Sequence, residues 1–189
     1  MRHTSALRAA GPGTGPEADA RALRSFRALA WAAAAATFAL ILLGAAVVGT
    51  SSGLTCLGWP LCRGRLIPPL VWPILVEWMH RVGALAVTAV SLVAARAAWR
   101  VRTRGPWRSG SLLALALLAV QVALGGVLVE THLAPVALIV HQGLAALLAC
   151  VWLVLALRAG WMGATGGDAP RTVGSGAAAE GREAGGTAP

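Results

Sequence analysis

Glu77, His80 and Arg81 stand together in one strongly apolar stretch, and His141 and Gln142 stand in another. Ionisable side chains cost free energy in such surroundings, so they mark function by default. Imidazole ligates iron or zinc, a carboxylate moves protons or orients water, and a guanidinium pairs with carboxylates. Glu77 precedes His80 by three residues, which on a helix puts both on nearly one face with the carboxylate about one turn closer to the helix start. His80 lies seven residues after Pro73 and His141 six after Pro135. At about 1.5 Å of rise per residue, each imidazole sits about 10 Å below the start of its helix.

Two helices running in the same direction therefore present imidazoles at one level. That level suits a bis-histidine heme, with one axial ligand on each face of the macrocycle. It equally suits two histidines hydrogen-bonded across helices, and spacing alone does not choose between them. A closed zinc site takes four protein ligands, and no third or fourth stands at this depth. Glu77 would lie beside the macrocycle or pair with Arg81, and Arg81 could instead face a heme propionate. His132, in Glu130-Thr131-His132-Leu133-Ala134-Pro135, is read as lining the mouth of the site, with water as the alternative. Cys150 falls nine residues after His141, on the opposite helix face, and is read as a small packing residue. His3 lies in a polar terminal segment and takes no part.

The elements that must hold these groups are set by composition. The chain has 189 residues, 57% apolar and 12% charged, with a mean hydropathy of +0.71. It is too apolar for a soluble domain and far too apolar for a disordered chain. Stretches long enough to cross a bilayer as helices, which takes about 20 residues, run over Ala28–Thr50, Leu70–Ala95, Gly110–Val129 and Pro135–Leu157. A cleaved signal peptide is the alternative for the first, but its apolar run exceeds an h-region and Glu17 and Asp19 precede it. The expected domains are a flexible cytoplasmic segment over 1–27, a four-helix transmembrane heme-binding domain over 28–158, and a disordered cytoplasmic tail over 159–189 rich in Gly, Ala and charge.

All 16 basic residues are Arg and the formal net charge is +9. Their placement beside apolar stretches reads as membrane topology and not as nucleic-acid binding. Arg2, Arg8, Arg21, Arg24 and Arg27 precede the first span, and Arg96, Arg100, Arg102, Arg104 and Arg108 surround the second connection. The first connection has only Arg63 and Arg65, and the third has none. An all-α integral membrane protein follows, an antiparallel up-down-up-down bundle with both termini cytoplasmic. Cys56 and Cys62 then fall in the first outward loop, where disulfides persist, and are expected to pair and fix the Trp59-Pro60 turn above the bundle; two free thiols are the alternative.

The run Gly49-Thr50-Ser51-Ser52-Gly53-Leu54-Thr55-Cys56, then Trp59-Pro60-Leu61-Cys62-Arg63-Gly64, Pro68 and Glu77-Trp78-Met79-His80-Arg81, resembles the heme A synthase family. Gln121, Leu124-Gly125-Gly126, Thr131-His132-Leu133, Pro135 and His141-Gln142-Gly143-Leu144-Ala145 continue the resemblance, which covers roughly residues 40 to 150. It implies a prokaryotic plasma-membrane oxidoreductase that oxidises a methyl group of heme O to a formyl group for cytochrome oxidase, with His80 and His141 as heme ligands and Glu77 essential to the chemistry. Members of that family typically hold two tandem four-helix halves, one for the substrate heme and one for a cofactor heme such as heme B. One half is present here, so a homodimer or a second half-length bundle is the expected partner, with heme O synthase and cytochrome oxidase subunits as further partners and membrane lipid around it. A bis-histidine b-type cytochrome, or a heme-delivery or oxidase-assembly protein without catalysis, would use the same histidines without requiring Glu77.

Overall fold

The computed structural model describes residues 15–165. Four helices follow one another: α1 over Pro16–Gly49, α2 over Ile74–Ala98, α3 over Trp107–Glu130 and α4 over Pro135–Thr165. Each is long and apolar enough to cross a membrane, and no strand occurs among the described residues. The all-α four-span architecture is the one expected. Each helix packs on its two neighbours around a ring, α1 on α2 and α4, α3 on α2 and α4, while the backbones across each diagonal stay apart.

Two helices reach beyond the expected boundaries. α1 already begins at Pro16, a residue suited to the first helical position because its missing N–H would have no helical partner. Residues 16–27, expected to be flexible, are thus helical, and Leu23 and Phe26 are buried. The reason lies in their register: Leu23, Phe26, Ala30, Ala33 and Thr37 recur at helical spacing and form one buried stripe, leaving Arg21, Arg24 and Arg27 exposed on the other side. α4 likewise carries Leu148, Trp152, Leu155, Ala156 and Ala159 inward, so the helix runs past 158 to Thr165. The rest of the two terminal segments, 1–14 and 166–189, lies outside the described residues.

The core is concentrated at one end of the ring. Phe26, Trp107 and Trp152 are fully buried there with Ala30, Ala98, Ala114 and Ala156. The Phe26 and Trp107 rings pack in a tilted pair with centroids 5.5 Å apart, an arrangement that aromatic quadrupoles favour. Alanine at the crossing points lets the helix axes come close, as membrane bundles require in the absence of a hydrophobic drive between helices.

At the other end, residues 50–73 join α1 to α2 and fold over the ring. Cys56 and Cys62 form a disulfide, both buried against Ile74 and Trp78. Cys62 and Arg65 exchange backbone hydrogen bonds of 3.2 and 2.9 Å, Arg63 donates from Nε to the Thr55 carbonyl at 2.8 Å, and Trp78 donates from Nε1 to the Leu66 carbonyl at 3.0 Å. Backbone and side-chain donors thus give a loop without regular structure its partners, and the expected pairing of the two cysteines is present.

Candidate functional site

Between the diagonal pairs, the loop-capped end of the ring encloses a cavity of about 700 Å³, within the range of ~300–1,000 Å³ usual for small-molecule sites. All four helices line it. His80 comes from α2 and His141 from α4, the diagonal pair whose backbones do not meet, so both imidazoles face one cavity from opposite sides. The equal depths read from sequence place them there because each sits about two turns into its helix.

Neither imidazole makes a hydrogen bond with any described residue, and the Nδ1 of each is buried without a partner. The reading of two histidines hydrogen-bonded to each other is therefore not what the structure contains. Buried polar atoms are nearly always satisfied, so two unpaired imidazoles lining one cavity mark it as a candidate ligand site. Among the described residues no group of three or more His, Cys, Asp or Glu side chains comes together. Two facing imidazoles and a spacious, largely apolar chamber fit a heme, which His80 and His141 would hold.

Glycines seat both histidines. A Cβ on Gly44 of α1 would lie 3.1 Å from Cε1 of His80, and one on Gly125 of α3 would lie 3.6 Å from Cε1 of His141. Each ring thus lies over a bare stretch of the preceding helix, which limits how it can turn. Gly44 and Gly125 are absent from the set of residues expected to form the site, although a glycine within an apolar span is the sequence signal that could have found them. Gln121, one helical turn deeper than Gly125, also lines the cavity, and its Oε1 is buried without a partner. By contrast, Thr37 and Thr88 return their hydroxyls to carbonyls of their own helices at 2.7 and 2.8 Å.

Glu77 is buried at the cavity wall and accepts a hydrogen bond from Nε of Arg81 at 3.0 Å, an ion pair between successive turns of α2. Arg81 continues outward into the loop. Its Nη1 donates to the carbonyls of Gly58 at 2.8 Å, Leu61 at 3.1 Å and Pro60 at 3.4 Å, and its Nη2 to that of Cys56 at 2.7 Å. Of five guanidinium N–H groups, only one on Nη2 stays available to a ligand. Arg81 therefore acts chiefly as a clamp, holding the disulfide loop to α2 and orienting the Glu77 carboxylate, and its expected role toward a propionate is confined to that one donor. The clamped loop places Trp59 and Pro60 over the cavity, with the Trp59 ring against Gly126, whose Cβ would meet it at 3.2 Å.

Two expectations are corrected. His132 is exposed and does not line the cavity; its neighbour Leu133 does. Both residues adopt left-handed backbone, with φ of 53° and 62°, as the Leu133 N–H bonds back to the Leu128 carbonyl at 2.8 Å and closes α3. That turn carries Leu133 inward, where a Cβ on Gly53 would meet it at 3.0 Å. Cys150 is a free, exposed thiol and not a packing residue. The helical arithmetic put it correctly opposite His141, but the face of α4 opposite the cavity is the outside of the bundle.

Fold and site together define a multi-pass membrane protein with paired imidazoles facing a ligand chamber. The family model described as cytochrome oxidase assembly protein matches residues 3–155, and the chain belongs to that family. The heme A synthase of Symbiobacterium thermophilum is 38% identical over 114 residues, which cover 60% of this chain and 37% of that protein. The heme A synthase of Paracoccus denitrificans is 37% identical over 121 residues, 56% of this chain and 30% of that protein. The protoheme IX farnesyltransferase of Halobacterium salinarum is 38% identical over 101 residues, 53% of this chain and 22% of that protein. The chain thus matches between 22% and 37% of the length of these relatives. No solved structure matches it. The resemblance to heme A synthases holds, and the protein belongs in the prokaryotic plasma membrane.

Proposed function

We propose that the chain works in heme A biosynthesis for cytochrome oxidase, as a membrane oxidoreductase that takes heme O as substrate and converts one ring methyl to a formyl group. The two unpaired imidazoles, His80 and His141, on opposite sides of one cavity are the observation that carries this reading. They hold the substrate iron between α2 and α4. Gly44 and Gly125 keep the imidazoles seated. Below them the cavity continues to Leu92, Leu115 and Leu148, an apolar depth suited to a heme with a long apolar substituent, with the Gln121 oxygen available to a donor on it.

Methyl plus one water yields formyl, four protons and four electrons. A second heme of the heme B type, held by the partner bundle, would supply the one-electron redox chemistry that this oxidation requires. This chain contributes a carboxylate at the wall: Glu77, held by Arg81, orients the attacking water and takes its proton. The clamped loop with Trp59 and Pro60 keeps bulk water out. Outer placement of that loop, with cytoplasmic termini, agrees with the arginine distribution. A second copy of the bundle, or a second half-length bundle, supplies the other heme site, in keeping with the length of the relatives. Heme O synthase upstream and cytochrome oxidase subunits downstream are the accompanying partners.

Co-expression with a heme O synthase in a host lacking heme A, followed by heme extraction and mass analysis, tests the reading. Heme A or its hydroxylated precursor is the expected product. Glu77→Gln should retain bound heme while lowering formyl product by about 100-fold or more, the usual contribution of a positioned acid–base group. Unaltered heme from the native chain would point instead to electron transfer or heme delivery, and undiminished product in the variant would remove Glu77 from the chemistry.

A further inference from the structure

A second cavity, an open groove of about 740 Å³, flanks the packed end of the bundle on its outside, between α1 and the end of α2 with the connection that follows it. Arg21 of α1, Arg96 in the last turn of α2 and Arg100, in the turn just after α2, line its wall. None of the three guanidinium groups makes a hydrogen bond or ion pair with a described residue. Arg96 and Arg100 stand close together at the C-terminal end of α2, and Arg21 adds a third like charge from across the groove, so positive charges share one space. The acidic group in the lining, Asp19, is already engaged: its carboxylate accepts from the backbone N–H of Arg102 at 2.6 Å and of Thr103 at 2.9 Å, and from the Thr103 hydroxyl. Asp19 thereby ties the connection after α2 to α1 and forms one rim of the groove; its charge faces that of Arg102, the fourth arginine of the lining, and leaves Arg21, Arg96 and Arg100 uncompensated.

We propose that this groove binds the phosphate headgroup of an anionic phospholipid. Phosphate offers the oxygen acceptors that planar guanidinium groups match, and a single anion between the three arginines relieves their mutual repulsion. The floor decides between a lipid and a free phosphate. Leu29 and Val93 continue the groove as apolar surface, and Val93 is exposed on the outside of a membrane-spanning helix, where acyl chains lie. Basic pockets between transmembrane helices hold lipid headgroups by this combination. The site is separate from the histidine cavity and does not depend on what that cavity binds.

The full chain, purified in detergent and reconstituted into phosphatidylcholine bilayers with graded phosphatidylglycerol, provides the test. Native mass spectrometry reads the lipids that stay bound, and thermal unfolding is followed with phosphatidylglycerol, phosphatidylcholine or inorganic phosphate added. The cavity variant R21Q/R96Q/R100Q is compared with R24Q/R104Q/R158Q, which removes the same charge from exposed arginines outside the groove. Native chain and control variant should retain phosphatidylglycerol over phosphatidylcholine, and the cavity variant should lose that preference by about tenfold or more. The lysine variant R21K/R96K/R100K, which keeps the charge, should retain part of it and shows that loss is not a folding defect. Equal loss in cavity and control variants would reduce the effect to general surface charge and overturn the site. Inorganic phosphate stabilising the chain as well as phosphatidylglycerol does would overturn the lipid assignment.

Discussion

The two ends of this bundle are built from the same four helices and differ in what fills them. At one end Phe26, Trp107 and Trp152 interlock among alanines with no exposure; at the other, His80, His141, Glu77 and Gln121 surround a space of about 700 Å³. Large aromatic side chains close the first end, while glycine and small residues hold the second open. Polar atoms follow the same division only in part. The packed end also leaves Ser91, Ser111 and Trp152 Nε1 without hydrogen-bond partners. What the comparison teaches is a division of labour: one end fixes the helix positions, so that the other can afford a chamber whose polar groups wait for a ligand.

That division can be broken from either side. His141→Ala, and equally His80→Ala, should abolish axial heme binding while leaving the thermal stability of the ligand-free bundle nearly unchanged, as read by heme absorption spectra and helix melting. Unchanged heme spectra in both variants would sink the ligand assignment. Trp152→Ala should do the reverse. Removing a fully buried indole from a packed core costs about 3 kcal/mol or more, so melting temperature should fall steeply while any folded protein still binds heme. The smallest effect sharpens the comparison: Gly44→Ala brings a methyl to 3.1 Å from the His80 ring, whereas a methyl on Gly49 meets nothing within 4 Å. Heme affinity should fall several-fold for the first and stay constant for the second. Equal affinities would mean that the seat under His80 does not constrain it.

Much of the architecture was legible in the residue string because bilayer crossing imposes a length and an apolar content that leave few alternatives. The depth of the two histidines was legible for the same reason, since Pro73 and Pro135 mark helix starts and helical rise is fixed. The boundaries read less well. Hydropathy follows average polarity, and Arg21, Arg24 and Arg27 masked the buried stripe through Leu23 and Phe26 that carries α1 back to Pro16. His132 and Leu133 show a second limit. A turn with two left-handed residues decides which of two neighbours points inward, and neither polarity nor spacing encodes that choice.

The sequence by itself determined that this is a four-span membrane bundle, that two imidazoles stand at one depth, that Glu77 shares a face with His80, and that two cysteines lie close in one loop. These follow from period, length and charge, which are properties of neighbours along the chain. Only the tertiary structure decided that α2 and α4 lie on a diagonal with space between them, that Gly44 and Gly125 back the imidazoles, and that Arg81 spends most of its donors on the loop carbonyls. Those facts depend on which helix faces meet across the ring. Residues 20 or more apart in sequence, such as Arg81 and Cys56 at 2.7 Å, are brought together by packing and not by local pattern.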